Sequence, residues 1–294
     1  MIKKILITGA SGQLGNSVVN QLNGKFELLA TDIIIHNLKT VDIPFSILDI
    51  TDSEQIKNVI SQFTPEVIIN LAAYTDVDGC ELNPENAYLL NTKSVEMLSA
   101  NFNGQFIQIS TDYVFDGHNG PYGENDQINP INEYGKTKLE AENILQNSSN
   151  NWCILRTNVL FDYFRDTEAS FIKWVIDSLR SNQSINVVDD QWNNPTWTQN
   201  LAEIIELVIN KNVEGIYNYG GAEYLNRYEF AQIITNIFNL DKTLISPIST
   251  KSLDQAAQRP LKGGLETEKI EKDFDIQCVD LKTSLSMIKS RLTE

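Results

Sequence analysis

An α/β fold, a Rossmann-type doubly wound parallel sheet with a smaller C-terminal substrate-binding lobe, is predicted by three observations. Short apolar runs alternate with helical stretches through the first half of the chain. A glycine-rich turn follows the first of those runs, and an aspartate closes the second. Continuous apolar strands interleaved with helices signal a parallel sheet covered on both faces.

The elements follow in order. Ile5–Thr8 reads as a buried strand and Gly12 to Leu22 as the helix after it. Glu27 to Thr31 is the second strand, and Ser53 to Gln62 a helix opened by Thr51 or Ser53 as cap. Val67 to Leu71 and Phe106 to Ser110 are further strands, with a helix from Asn86 to Ala100 between them. Trp152 to Arg156 supplies a fifth strand. The second half is less regular, with helices expected over Ala169 to Leu179, Asn200 to Ile209 and Arg227 to Phe238. Pro195, Pro260, Gly263 and Gly264 mark loops. There are no internal repeats. Residues 1–158 are expected to form the nucleotide-binding core, its sheet completed by later segments, and 159–294 to form mainly the substrate lobe.

Composition narrows the class. The 294 residues, 41% of them hydrophobic, suffice for a sizeable core. Cys80, Cys153 and Cys278 lie far apart without a CxxC pair, which argues against a disulfide framework or zinc site. His36 and His118 are too scattered for a His-based metal centre, so no metal is expected. No apolar run reaches the ~18 residues of a membrane span, and Met1-Ile2-Lys3-Lys4 leads directly into a strand. With 23 Lys plus Arg against 39 Asp plus Glu, the net charge is −16. Such a chain repels nucleic acid and anionic membranes. A cytoplasmic protein is expected.

The turn after the first strand is Thr8-Gly9-Ala10-Ser11-Gly12-Gln13-Leu14-Gly15. Its glycines allow a tight turn, close approach of backbone to a pyrophosphate, and packing of helix on strand. The helix N-terminus beyond presents amides to phosphate. The spacing is GxxGxxG, and alone it is compatible with an ordinary strand–helix turn. Asp32, 17 residues after Gly15, stands where a carboxylate accepts the ribose hydroxyls and repels a 2′-phosphate. Ile33, Ile34 and Ile35 follow with no Arg or Lys to offset it, which favours NADH over NADPH while leaving NADPH possible. Asp49-Ile50 has two readings, a contact to adenine or a plain surface loop.

Tyr134 and Lys138 lie at i and i+4, on one helix face. An ammonium beside a phenol lowers the phenol pKa from about 10 toward working pH, which suits carbinol–carbonyl interconversion. Ser110-Thr111-Asp112 ends a strand 23 residues before Tyr134, and a hydroxyl there can hold the substrate oxygen beside it. Glycine cradle, strand-end threonine and YxxxK, in that order, form a specific combination.

The chain resembles the extended short-chain dehydrogenase/reductase superfamily and, within it, the dTDP-4-dehydrorhamnose reductase family. The matching stretches are GASGQLG (9–15), NLAAYTDVDGCE (70–81), STDYVFDG (110–117), PINEYGKTKLEAE (130–142), LRT (155–157), DQWNNPT (190–196) and RP (259–260), spread over most of the chain. The resemblance implies a Rossmann reductase making a dTDP-deoxysugar, most directly dTDP-L-rhamnose from its 4-keto precursor. It implies cofactor contacts at Gly12, Gln13, Leu14, Asp32, Asp49, Ile50, Ala73, Tyr74 and Thr75. Catalysis falls to Tyr134 and Lys138, with Thr111 and Asp112 facing the substrate. The loop of Trp192 and Trp197 would face the substrate too, while Trp152 and Trp174 read as packing residues. Arg259 has two readings, a diphosphate contact or an ordinary salt bridge, and Arg156 reads as structural. Val77 and Asp78 can approach the substrate, although Asp78 equally suits a helix cap.

Departures from the pattern are informative. Asn158-Val159-Leu160 replaces a run carrying the aromatic that faces the sugar nucleotide, leaving Asn158 at that place. Ser17 stands where some members carry an acidic Mg²⁺ ligand at a dimer interface, so a monomer or weak homodimer is expected. Leu261 to Leu265 replaces the usual run after the RP motif, which leaves the identity of the sugar open. A dehydratase would carry a glutamate where Tyr113 stands, and epimerases are usually longer. A different class stays open: a nucleotide-binding partner resembling the methionine adenosyltransferase regulatory subunit.

Overall fold

A computed structural model describes residues 2–34, 43–164 and 170–293. Ile35, His36 and Ala169, named above, lie outside the described residues. The first half runs β1 (Lys4–Thr8), α1 (Gln13–Leu22), β2 (Glu27–Asp32), β3 (Phe45–Ile47), α2 (Ser53–Phe63), β4 (Val67–Asn70), α3 (Val77–Leu82) and α4 (Pro84–Tyr88). A five-residue π-helical turn, Leu89–Lys93, leads into α5 (Ser94–Ala100). Then come β5 (Gln105–Thr111), α6 (Glu133–Gln146) and β6 (Asn151–Thr157).

The second half adds β7 (Leu160–Phe161), α7 (Phe171–Arg180), β8 (Ile185–Val188), β9 (Trp192–Asn193), β10 (Thr196–Trp197) and α8 (Thr198–Lys211). It continues with β11 (Gly215–Asn218), β12 (Leu225–Asn226), α9 (Arg227–Phe238), β13 (Ile245–Ile248), α10 (Glu268–Phe274) and α11 (Leu281–Thr293).

Seven parallel strands form the central sheet in the order β11-β6-β5-β4-β1-β2-β3. The order reverses between β1 and β4, and the crevice at the carboxyl ends of those strands is where such sheets bind ligands. One face is covered by α1 and α8, burying Val18, Val19, Leu22, Ile205 and Val208 against Ile5 and Ile7. The other buries Leu6, Ile68 and Phe106 under Ile56, Leu98 and Leu145. Strand residues buried on both faces explain why these runs read as continuously apolar. Residues 198–218 return to this layer, with β11 pairing on β6. A separate core joins α7, α9 and α11 around Ile176, Phe230, Ile234 and Leu285.

Several local expectations change. Asp52, not Thr51 or Ser53, caps α2, its carboxylate accepting the Glu54 and Gln55 amides. The helix expected over 86–100 is interrupted by the π turn. Trp152 packs half-buried on the second face as expected, but Trp174 is 42% exposed and belongs to no core. Ser17 is buried, its hydroxyl 2.7 Å from that of Thr198 in α8. Thr198 in turn donates to the buried Asp162 carboxylate, which also receives Trp197 Nε1–H and the Arg291 guanidinium of α11. Trp197 is therefore a core residue, not a substrate contact. No helix among the described residues is long and apolar enough to cross a membrane.

Candidate active site

The glycine turn sits where the sheet order reverses, and its geometry is that of a phosphate cradle. Gly9 adopts φ +67°, and a Cβ there would lie 2.6 Å from the Ala72 amide nitrogen. A Cβ on Gly15 would overlap the Ala10 carbonyl. Both positions thus exclude any other residue, for backbone reasons at the first and packing reasons at the second. Gly12 is the N-cap of α1 and brings no side chain over the amides that follow. That open helix start suits the negative charge of a dinucleotide pyrophosphate. Leu14 supplies backbone there, its side chain being buried in the core.

Asp32 ends β2 beside this turn. Its carboxylate receives the Ser11 amide at 2.9 Å and the Ile33 amide at 2.7 Å, so it is oriented before any ligand arrives. Asp49 holds its own turn by accepting the Thr51 amide and hydroxyl at 2.8 and 2.7 Å. The side chain of Ile50 is buried in the core under α2 and is not a free apolar face for adenine.

After β4, the segment Ala73-Tyr74-Thr75 crosses the carboxyl edge of the sheet. It is clamped by a residue that no motif in the sequence marks. Asn91, in the π turn, accepts the Tyr74 amide at 2.7 Å and donates to the Tyr74 carbonyl at 3.1 Å. The same amide group reaches the Thr137 hydroxyl of α6 at 3.2 Å. The π turn therefore ties the Ala73–Thr75 segment to the helix that carries Tyr134 and Lys138, in keeping with the frequent placement of such turns at functional sites.

On α6, Asn132 caps the first turn through the Gly135 amide. Tyr134, Lys138 and Glu142 then follow at intervals of four on one face. Glu142 is fully buried and receives Arg156 at 2.7 and 3.0 Å and the Ser110 hydroxyl at 2.5 Å. Arg156 is structural, as expected. Lys138 donates to the Ile109 carbonyl at 2.7 Å, and burial pushes its ammonium down to about 8 against the opposing charge of Glu142.

Tyr134 departs from expectation. Burial drives its phenol well above the ordinary tyrosine value, with only the Thr111 hydroxyl drawing it back. The lowering expected from Lys138 is outweighed: its ammonium donates to the Ile109 carbonyl, and desolvation of the phenolate dominates. The phenol is consequently a protonated acid at neutral pH, beside a threonine hydroxyl.

Asp112 also differs. It is buried, and its carboxylate accepts the Gly264 amide at 3.1 Å, tying the loop after Pro260 to the end of β5. Burial pushes it up to about 6, against the pull of that amide, the Arg227 charge and the Thr111 hydroxyl. It braces the threonine and the loop and does not present an open carboxylate.

A cleft of about 510 Å³ extends from this strand end between the two lobes. Thr75, Val77 and Tyr113 form the end nearest Tyr134, and the Tyr113 ring stands edge-on to Tyr134 at 5.6 Å. Arg259 lines it, held by two hydrogen bonds to the Asp78 carboxylate at 3.0 and 2.8 Å. Of the two readings of Arg259, the structure shows the salt bridge. Asp78 caps nothing; Asp76 caps α3. Asn158 is buried and donates to Asn194, so the cleft is lined there by Val159 and Leu160 instead. Trp192 stacks on Tyr224 at 5.8 Å, and its neighbour Gln191 lines the cleft.

Arg227, Phe171 and Trp174 also line the cleft and were not expected there. They come from α9 and α7, whose helical periodicity hides which residues turn toward a cavity.

The family model described as RmlD substrate binding domain matches residues 3–293. A dTDP-4-dehydrorhamnose reductase of Aggregatibacter actinomycetemcomitans is 34% identical over 304 residues, covering 98% of each chain. Methionine adenosyltransferase 2 subunit beta of Danio rerio is 32% identical over 92% of this chain and 84% of its own. The crystal structure of dTDP-4-dehydrorhamnose reductase from Bacillus anthracis, in complex with NADP, superposes with a TM-score of 0.89 at 28% identity, covering 99% of this chain and 100% of that one. A match from end to end, on a fold whose glycine cradle and Thr–Tyr–Lys group come together at one sheet edge, places this chain in the dTDP-4-dehydrorhamnose reductase family.

Proposed function

We propose that the protein is an NAD(P)H-dependent reductase of a nucleotide-linked 4-keto-6-deoxy sugar, most directly converting dTDP-4-dehydro-L-rhamnose to dTDP-L-rhamnose. The observation that carries this reading is the Tyr134 phenol beside the Thr111 hydroxyl, with Lys138 one turn away on α6. The dinucleotide, when bound, supplies the hydride that reduces the C4 carbonyl carbon. The chain's part is to hold both partners and to deliver a proton. Thr111 orients the carbonyl oxygen by hydrogen bonding. Tyr134 gives its phenolic proton to that oxygen as negative charge develops there, so the carbonyl becomes a hydroxyl. Lys138 secures the nicotinamide ribose and offsets the phenolate left behind.

The glycine cradle, the open start of α1 and Asp32 fit a dinucleotide. The preference is for NADH, because Asp32 is fixed at the end of β2 and is followed by exposed Ile33 and Ile34, which carry no charge to receive a 2′-phosphate. The buried Ser17, turned to Thr198, supports a monomer or weak homodimer.

The similarity to methionine adenosyltransferase subunit beta supports a second reading, a regulatory partner that keeps the fold. Turnover separates the two. Purified protein with NADH or NADPH and dTDP-4-keto-6-deoxy-L-mannose is expected to lose absorbance at 340 nm. No loss with either cofactor sinks the reductase reading. Tyr134→Phe is expected to lower kcat by roughly 10²–10⁴-fold with cofactor affinity retained. Loss of cofactor binding in that variant would make Tyr134 a structural residue.

A further inference from the structure

We infer that the aromatic wall of α7 and the guanidinium of Arg227 form the seat for the nucleoside diphosphate end of the substrate, with Trp174 stacked on the base, Gln255 at the base edge and Arg227 on the diphosphate. This rests on the reading of the cleft as a nucleotide-sugar site.

Orientation comes first. The cleft is continuous from Tyr113, beside the catalytic phenol, to Phe171 and Trp174 on α7. A keto sugar whose C4 oxygen meets Tyr134 therefore points its nucleotide toward α7. The wall at that end has the properties of a base platform. Trp174 is 42% exposed although it lies beside Phe171, with ring centroids 5.8 Å apart. Phe171 is held from behind by Phe230, stacked at 5.3 Å. An indole left open at the rim of a cleft and backed by a fixed aromatic pair offers a flat face to another ring.

Charge points the same way. Arg227 holds its guanidinium 5.3 Å from the Phe171 ring centroid, and no described residue gives that guanidinium a hydrogen bond or an ion pair. Arg259 lines the same cleft but is committed to Asp78. Burial, together with the charge of Arg259, pulls Arg227 below its ordinary value, against the nearby Asp112 carboxylate and Tyr113, which hold it up. An anion placed on Arg227 offsets both of these lowering effects. In a protein of net charge −16, where the overall field repels an anionic substrate, this local cation supplies the attraction. A third observation is independent of the first two. The Gln255 Oε1 atom is buried at the cleft without a hydrogen-bond partner, and a base edge presenting an N–H satisfies it.

The probe is dTDP alone, titrated into the full-length protein without cofactor. It is expected to quench tryptophan fluorescence saturably, and Trp174→Phe to remove most of that quench. Trp174→Ala and Arg227→Met are each expected to weaken dTDP binding at least tenfold by calorimetry, with NADH affinity within twofold of the parent as the control for folding. Thymidine, which has no phosphates, is expected to lose affinity in Trp174→Ala and not in Arg227→Met. No dTDP binding to the parent, dTDP binding within twofold of the parent in both variants, or equal loss of thymidine binding in Arg227→Met would each overturn the seat. Failure of the reductase reading looks different: dTDP binds with this pattern, yet no keto sugar is reduced. Conversely, turnover with an unchanged KM in both variants leaves the reductase standing and removes the seat.

Discussion

The cofactor edge and the nucleotide end of the cleft solve related problems with different materials. At the edge, backbone is what a ligand would meet: Gly9, Gly12 and Gly15 clear space, and the start of α1 offers amides. In the cleft a ligand would meet side chains: Arg227 from α9 and Phe171 and Trp174 from α7 converge from segments far apart in sequence. Backbone recognition needs absent side chains at fixed spacing, which is rigid and intolerant of change. Side-chain recognition needs only that the right groups arrive, and it can be retuned one residue at a time.

The contrast is sharpest if a residue is forced into the cradle. Gly15→Val puts a branched side chain onto the Ala10 carbonyl, a backbone neighbour that cannot swing aside. Overpacking of this kind costs about 1–3 kcal/mol or more. A fall of several degrees in the thermal midpoint and at least a tenfold loss of NADH affinity are expected, measured by melting with and without cofactor. Unchanged affinity would mean that the cradle is not the phosphate site.

A gentler handle is pH. Lys138, held down to about 8, carries its charge below that pH and loses it above. The rate is therefore expected to fall about tenfold per unit above pH 8, while Tyr134, driven upward by burial, stays protonated. A pH–rate profile that stays flat to pH 10 would remove Lys138 from the chemistry. The same shift affects stability. Between about pH 8 and about 10.4 the unfolded chain binds the proton that the folded chain has released, so this lysine makes stability rise with pH across that window. Lys138→Met is expected to flatten the slope in urea melts.

The smallest expected effect lies at Asp32. Asp32→Ala removes the carboxylate that repels a 2′-phosphate, and the ratio of kcat/KM for NADH over NADPH should fall about tenfold. A ratio that does not move would place cofactor choice elsewhere.

These differences also explain what was legible in the sequence. Gly9 to Gly15, Asp32, Thr111, Tyr134 and Lys138 were readable because each is tied to a strand end or a helix spacing, and the structure gathers them at one sheet edge. Asn91 was not, because nothing in an apolar helical pattern announces a π turn. Trp174 reads as a packing residue because an aromatic at helical spacing looks the same whether it meets a core or a cavity. Asn158 and Trp197 were placed near substrate on resemblance, and the hydrogen bonds of Asn194 and Asp162 draw them inside. The pKa of Tyr134 was misjudged in direction because burial, which a sequence does not display, outweighed a neighbouring charge.

The buried pair of Glu142 and Arg156 has one more consequence. A helix lying on a sheet can in principle roll about its axis or slide along it, and one residue of slip turns every side chain by about 100° and moves it about 1.5 Å. Glu142 is fastened to β6 through Arg156 and to β5 through Ser110. It acts as an indexing pin eight residues beyond Tyr134, fixing α6 in both rotation and translation. Length changes in the loops on either side of α6 are thus absorbed by the loops. Such a site can tolerate inserted or deleted residues at its margins without losing the aim of its acid.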